Sequence, residues 1–99
     1  MAEMKIIWDT EAKISFRKLL IHIKKDSLQA AEKVKFEILG IIKNIPDHPE
    51  IFPSDKFKID NDGSIRAFEK YSFRIVYQIT LHHIRILRVR HVKQEPKEY

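Results

Sequence analysis

The chain has 99 residues, contains no cysteine and carries a formal net charge of +5. This length fits one domain, and the missing cysteines exclude a disulfide framework and a cysteine-ligated zinc site. No apolar run approaches the roughly 18 residues of a membrane span, and the first residues lack a secretion signal, so we expect one cytoplasmic domain over residues 1–99.

The first half of the chain predicts a short strand and two amphipathic helices. Residues 4–9 (MKIIWD) alternate as a strand does, and apolar residues then recur at helical spacing from Ala12 to Ile23. Ser27 is predicted to cap a second amphipathic helix, which ends before Pro46. Because only a few residues separate the two helices, they predict an antiparallel helical hairpin.

The second half predicts a loose connection, three strands and a tail. Residues 47–63 are rich in turn formers, with a short extended piece expected at residues 56–59. Strands are predicted at residues 64–70, 73–80 and 83–91, and residues 92–99 form a polar tail. The order β-α-α-β-β-β predicts an α+β fold. The helical hairpin packs on one face of a small, antiparallel-rich sheet and leaves the other face for a partner.

The net positive charge belongs to the predicted sheet and tail. Residues 1–63 contain 11 basic and 11 acidic side chains, whereas residues 64–99 contain 8 basic and 3 acidic ones. Such an excess favours an anionic partner: nucleic acid, an acidic protein or a membrane surface. Adjacent His82 and His83 would point to opposite faces of a strand, and no other histidine has partners at ligand spacing, so we expect neither a metal nor a cofactor.

The strand arginines are the candidate functional side chains. Arg74 lies between Phe73 and Ile75 and should point away from the face that they bury. Planar guanidinium groups bind phosphate through paired hydrogen bonds, and the alternative is that these arginines pair with surface carboxylates such as Glu69. His91 could act as a general acid–base group or as a hydrogen-bonded structural residue.

Alternation alone leaves two possibilities for which face of the last predicted strand is buried. Strict alternation places Ile84 and Ile86 on the same side as Arg88 and Arg90, and places Arg85, Leu87, Val89 and His91 on the other side. Apolar and charged side chains cannot both face the helices. Either a β-bulge resets the alternation, or these arginines lie beyond the helix layer.

These features resemble the RelE/ParE superfamily of bacterial toxins, and its ParE-like side more closely. The resemblance extends from about Lys5 to Glu95 and rests on Trp8 closing the first strand, on the run Arg74-Ile75-Val76-Tyr77 and on the closing Arg88-Val89-Arg90-His91. It implies the toxin of a type II toxin–antitoxin pair in the bacterial cytoplasm. A cognate antitoxin would wrap and neutralise it, and an acidic antitoxin would suit its charge. The resemblance leaves the oligomeric state open, a dimer included.

Members of this superfamily act on one of two targets. ParE-like members bind DNA gyrase without a required catalytic set, and this is the function we predict first. RelE-like members cleave messenger RNA on the ribosome, and in that alternative Arg74, His91 and Tyr99 would be catalytic. In both cases the predicted target- or phosphate-binding residues are cationic: Lys56, Lys58, Arg66, Arg74, Arg88, Arg90 and Lys93. A third interpretation is a non-toxic basic nucleic-acid-binding module with steep salt dependence.

Overall fold

A computed structural model describes residues 4–94 and 97–99, so residues 95 and 96 of the predicted tail and residues 1–3 of the predicted domain lie outside the described residues. The elements in chain order are β1 (Lys5–Trp8), α1 (Thr10–Asp26), α2 (Leu28–Asn44), β2 (Ile65–Lys70), β3 (Phe73–Ile79) and β4 (His83–His91). A short 3₁₀ turn (Ile45–Asp47) follows α2 and contains Pro46.

The four strands form one mixed sheet in the order β1-β4-β3-β2. β1 runs parallel to β4, and the two other pairs are antiparallel. The predicted α+β fold, with a helical hairpin on a small antiparallel-rich sheet, is confirmed. Each predicted strand end lies within one residue of the observed one.

Ser27 alone connects the two helices. Its side chain accepts a hydrogen bond from the backbone N–H of Ala30 (3.0 Å), and its own N–H donates to the carbonyl of Ile23 (3.0 Å). The same residue therefore caps the start of α2 and closes the end of α1, as the predicted N-cap requires. A connection this short holds the helices antiparallel and directs both apolar stripes at the sheet.

The core lies between the helical hairpin and one face of the sheet. Its buried side chains come from both helices, the 3₁₀ turn and three strands: Ala12, Phe16, Val34, Ile38, Ile42, Ile45, Phe68, Phe73, Ile75, Tyr77, Ile84, Ile86 and Val89. The Tyr77 side chain is completely buried, and its hydroxyl donates to the carbonyl of Pro49 at 2.7 Å. This hydrogen bond satisfies the one polar atom that the ring takes into the core.

A β-bulge interrupts the pairing of β3 with β4. Val76 pairs with Arg88 whereas neighbouring Tyr77 pairs with Ile86, which leaves one β4 residue without a partner on β3. The extra residue resets the alternation, so Ile86 before the bulge and Val89 after it are both buried against the helices.

The bulge places Arg88 and Arg90 on the side of the sheet away from the helices, which we call the open face. Arg90 lies directly opposite Arg74 of β3 on this face. Of the two arrangements left open by the sequence, the bulge is the one found. The expectation that Arg85 shares a side with Val89 was wrong, because alternation does not continue across a bulge.

The connection between α2 and β2 folds without a regular strand. The extended piece expected at residues 56–59 was wrong, since these residues form turns. Their backbone turns because the Asp55 carboxylate accepts the N–H of Phe57, two residues on (3.2 Å). Further along, the Asn61 amide oxygen accepts the N–H of Gly63 (2.9 Å), which fixes the predicted turn before β2.

Replacing each of the two glycines by alanine should have opposite effects on the free energy of unfolding. Gly40 lies in the middle of α2 with no atom near the position of a Cβ, so Gly40→Ala should raise the free energy of unfolding by about 1 kcal/mol. Gly63 has a φ of +96°, where an L side chain is strained, so Gly63→Ala should lower it by about 1 kcal/mol. Urea unfolding of both variants measures the two changes, and a loss of stability in Gly40→Ala would contradict the first.

Candidate functional site

A buried carboxylate organises the open face. Asp55 is only 2% exposed, and its two carboxylate oxygens accept three hydrogen bonds. Arg74 Nη2 donates to Oδ1 (2.6 Å), the Tyr99 hydroxyl donates to Oδ2 (2.6 Å), and the Phe57 N–H donates to Oδ1. The donors come from β3, from the tail and from the connection itself. Asp55 therefore joins three separate parts of the chain.

The protonation states of this cluster follow from its burial and its hydrogen bonds. Burial by itself would raise the pKa of Asp55, but the hydrogen bonds from Tyr99, Arg74 and Phe57 outweigh it and hold that pKa below its usual value. Burial, followed by the hydrogen bond to Asp55, raises the pKa of the Tyr99 hydroxyl. Tyr99 is therefore a protonated donor at neutral pH and a poor general base.

Both terminal nitrogens of Arg74 are engaged within the fold, whereas its buried Nε has no hydrogen-bond partner among the described residues. The residue is 8% exposed, pairs with Asp55 through Nη2, and donates through Nη1 to Glu69 Oε2 at 2.8 Å. Its guanidinium carbon also lies 4.9 Å from the centre of the Phe57 ring. The predicted alternative, pairing with Glu69, is confirmed for this arginine. Two carboxylates neutralise the charge that a phosphate would otherwise meet.

Arg88 and Arg90 remain without a carboxylate partner among the described residues. The guanidinium carbon of Arg88 lies 4.3 Å from the Tyr99 ring centre, and that of Arg90 lies 5.5 Å from the Phe57 ring centre. Burial lowers the pKa of Arg90, and the neighbouring charges of Arg74 and Arg88 lower it further. These two arginines form a positive surface without an ion-pair partner of its own among the described residues.

The predicted lysines surround the same two rings. Lys56 Nζ is 5.2 Å from the Phe57 ring centre, and Lys58 Nζ is 5.4 Å from the Tyr99 ring centre. Lys58 also donates to the main-chain oxygen of Tyr99 at 3.4 Å. Lys93 is exposed in the turn after β4. The structure thus brings Lys56 and Lys58 to the cluster of strand arginines.

Two predicted site residues lie on the other side of the sheet. Arg66 pairs with Tyr77 and donates to three backbone carbonyls of the nearby connection, those of Gly63, Phe52 and Glu50. His91 pairs with Phe73, so its side chain projects toward the helix side, and its Nδ1 accepts the N–H of Lys93. The candidate catalytic trio of Arg74, His91 and Tyr99 is therefore divided: Arg74 and Tyr99 meet at Asp55, and His91 lies apart.

Sequence reasoning missed Asp55 and Phe57, which are the centre of the cluster. Both lie in the segment predicted as an irregular connection. The available signal was the run Asp55-Lys56-Phe57-Lys58, in which an acidic and an aromatic residue alternate with two lysines. Nothing local indicates that this segment folds onto Arg74, 19 residues further along the chain.

A second surface lies on the helix side. It is an apolar groove lined by Trp8, Phe16, Leu20 and Leu39, with Lys13, Arg17 and Lys35 at its rim. The Trp8 and Phe16 rings stack at 5.5 Å and form part of its floor. Within residues 4–94 and 97–99, no three histidine, aspartate or glutamate side chains converge as metal ligands, and no helix is long and apolar enough to cross a membrane.

Solved structures from bacteria share this architecture. A chain of the chromosomal ParDE toxin–antitoxin system from P. aeruginosa has a TM-score of 0.69 at 16% identity, over 90% of this chain and 96% of that one. The YoeB dimer from Staphylococcus aureus gives 0.56 at 16% identity, over 91% and 98%. The toxin–antitoxin complex RelBE2 from Mycobacterium tuberculosis gives 0.55 at 18% identity, over 92% and 93%. These three structures therefore share the fold of this chain.

A match to a family model identifies the family of this chain. A family model described as the ParE toxin of the type II toxin–antitoxin system parDE matches residues 6–96. The chain therefore belongs to the ParE toxin family, which confirms the resemblance found in its sequence. No curated protein matches it significantly.

The buried ion pair predicts strongly coupled substitutions. Arg74→Gln leaves the Asp55 charge buried without its cation and should lower the free energy of unfolding by about 3–5 kcal/mol. Adding Asp55→Asn should recover most of this loss, as a urea double-mutant cycle can measure. The control is Arg85→Gln, which breaks the exposed pair with Asp9 and should cost about 1 kcal/mol or less. A double variant no more stable than Arg74→Gln would contradict the coupling.

The depressed pKa of Asp55 predicts an acid-dependent stability. Because its folded pKa lies below the unfolded value near 3.8, the carboxylate stabilises the fold above that pH. Its contribution is lost as the pH falls from about 4 through the folded pKa. Wild type should therefore exceed Asp55→Asn in stability at pH 7, and the difference should shrink below pH 4. A difference that stays constant between pH 7 and pH 3 would contradict this assignment.

Proposed function

We propose that this chain inhibits bacterial growth by binding DNA gyrase in the cytoplasm, and that a cognate antitoxin neutralises it. Membership of the ParE toxin family supports the toxin role. The observation that favours binding over bond cleavage is the engagement of Arg74 and Tyr99 with Asp55. We place this function in one domain over residues 1–99, with residues 92–99 as its tail.

The nuclease alternative needs groups that this cluster does not leave available. Cleavage of RNA requires a cation to stabilise the charge on the reacting phosphate and a base for the 2′-hydroxyl. Arg74 is held by two carboxylates, and the raised pKa of Tyr99 keeps its proton in place. His91 projects from the opposite side of the sheet. Such an arrangement suits a surface that recognises a target better than one that breaks a bond.

The helix-side groove supports the proposed neutralisation. Its apolar floor can bury one face of an amphipathic segment, and its rim of Lys13, Arg17 and Lys35 favours an acidic one. Antitoxin segments that are disordered alone can cover such a surface by folding upon it. A groove on the helix side leaves Arg88 and Arg90 on a separate surface.

Labelling of growing bacteria distinguishes the two targets. After induction, thymidine incorporation should fall before methionine incorporation, because gyrase poisoning stops DNA synthesis first. Purified toxin should then inhibit supercoiling by gyrase and leave ribosome-bound messenger RNA intact. An early fall in methionine incorporation, with cleaved messenger RNA, would refute the gyrase proposal.

Substitution of the proton-transfer candidates tests the same choice at single residues. The double variant His91→Ala/Tyr99→Phe should still inhibit growth, because a gyrase-binding toxin needs neither group for chemistry. Phenylalanine keeps the ring beneath Arg88 and removes only the hydroxyl that bonds Asp55. Circular dichroism of the purified variant confirms folding. A folded variant that has lost toxicity would favour the nuclease alternative.

A further inference from the structure

The cations of the open face that have no ion-pair partner among the described residues suggest a ligand of their own. We infer that Arg88, Arg90 and Lys56 bind the phosphate backbone of duplex DNA, and that the toxin engages gyrase together with the DNA it holds. This inference rests on the proposed gyrase target and names a second contact within that complex. We call these three residues the phosphate surface.

The charge balance of the cluster leaves the phosphate surface positive. Five cationic side chains surround the Phe57 and Tyr99 rings: Arg74, Arg88, Arg90, Lys56 and Lys58. The carboxylates that pair with this cluster are those of Asp55 and Glu69. Both carboxylates pair with Arg74. Arg88, Arg90 and Lys56 have no ion-pair partner among the described residues, and an anion near them would relieve their mutual repulsion.

The rings hold these cations in place. The guanidinium groups of Arg88 and Arg90 lie against Tyr99 and Phe57, which limits their freedom before any ligand arrives. Two residues on the same side of a strand are about 7 Å apart, so each arginine can reach a phosphate of its own. A positioned planar fork loses less entropy on binding phosphate than a free side chain does.

The same contacts favour a duplex over a single strand. Proteins that bind single strands stack bases on exposed aromatic rings. Here the candidate rings are occupied, because Phe57 has Arg74, Arg90 and Lys56 within 5.5 Å, and Tyr99 has Arg88 above it. Cations that cover the rings leave backbone charge as the feature to recognise. Duplex DNA presents that charge at high density.

An acidic peptide fits the open face less well. Peptides gain most of their affinity from apolar anchors inserted into pockets. The apolar residues Ile65, Ala67 and Val76 of the open face are already buried against one another, and Leu87 packs against them with part of its surface exposed. Apolar anchoring positions lie instead in the helix-side groove. The open face therefore favours a polyanion without side-chain anchors.

Binding to DNA can be measured without gyrase. The probe is a fluorescent mixed-sequence duplex of about 20 base pairs, titrated at several salt concentrations. The variant Arg88→Gln/Arg90→Gln should weaken binding at least about tenfold at low salt and reduce the log–log salt slope by about two. The control Lys24→Gln/Lys25→Gln removes the same charge from exposed positions at the end of α1 and should bind like wild type. Equal weakening of both variants would overturn the inference, because only net charge would matter.

Three further outcomes decide the inference. Tighter binding of wild type to single-stranded RNA of equal length, or to poly-glutamate, would overturn it in favour of another anion. In a gyrase supercoiling assay, the arginine variant should need at least about tenfold more toxin than the lysine control. Equal inhibition by both would overturn the DNA contact and leave the gyrase target standing. If wild type does not inhibit gyrase at all, the proposed function fails, and the inference fails with it whatever the duplex titration shows.

Discussion

Burial of the Asp55 carboxylate is the constraint on which the open face depends. A carboxylate withdrawn from water is costly unless several donors satisfy it, and here they come from β3, from the tail and from the α2–β2 connection. Their positions cannot be set independently, because each is required by the same two oxygens. The connection has no regular strand, and its position is fixed by this carboxylate together with the hydrogen bonds that the carbonyls of the connection accept from Arg66 and Tyr77.

The buried Asp55 carboxylate also limits what Arg74 and Tyr99 can do, although the resemblance assigns both residues to RNA cleavage in the nuclease alternative. An arginine on the central strand and a tyrosine in the tail are present, yet each is bound to Asp55. Their presence in the sequence is therefore not enough to predict cleavage, because their hydrogen-bond partners also determine what they can do. A neutralised cation stabilises charge poorly, and a phenol of raised pKa is a poor base.

Local sequence patterns predicted most of the fold, whereas the site depends on contacts between residues far apart in the sequence. The Ser27 cap and the strands at 73–79 and 83–91 were predictable because capping and alternation depend on neighbours in sequence. The bulge opposite Val76 and Tyr77 was only one of two options, since register depends on the partner strand. Asp55 was not predictable, because its importance arises from a fold contact with Arg74 and not from its neighbours.

The two surfaces of the protein are encoded in different halves of the chain. The groove proposed for the antitoxin is lined by residues between Trp8 and Leu39, whereas the cationic open face needs residues from Asp55 to Tyr99. The helical hairpin also depends on local contacts, while β4 enters the middle of the sheet and pairs with β1 from the other end of the chain. During synthesis the residues of the groove therefore leave the ribosome first, and the cationic open face is completed only when the last residues of the chain have been made.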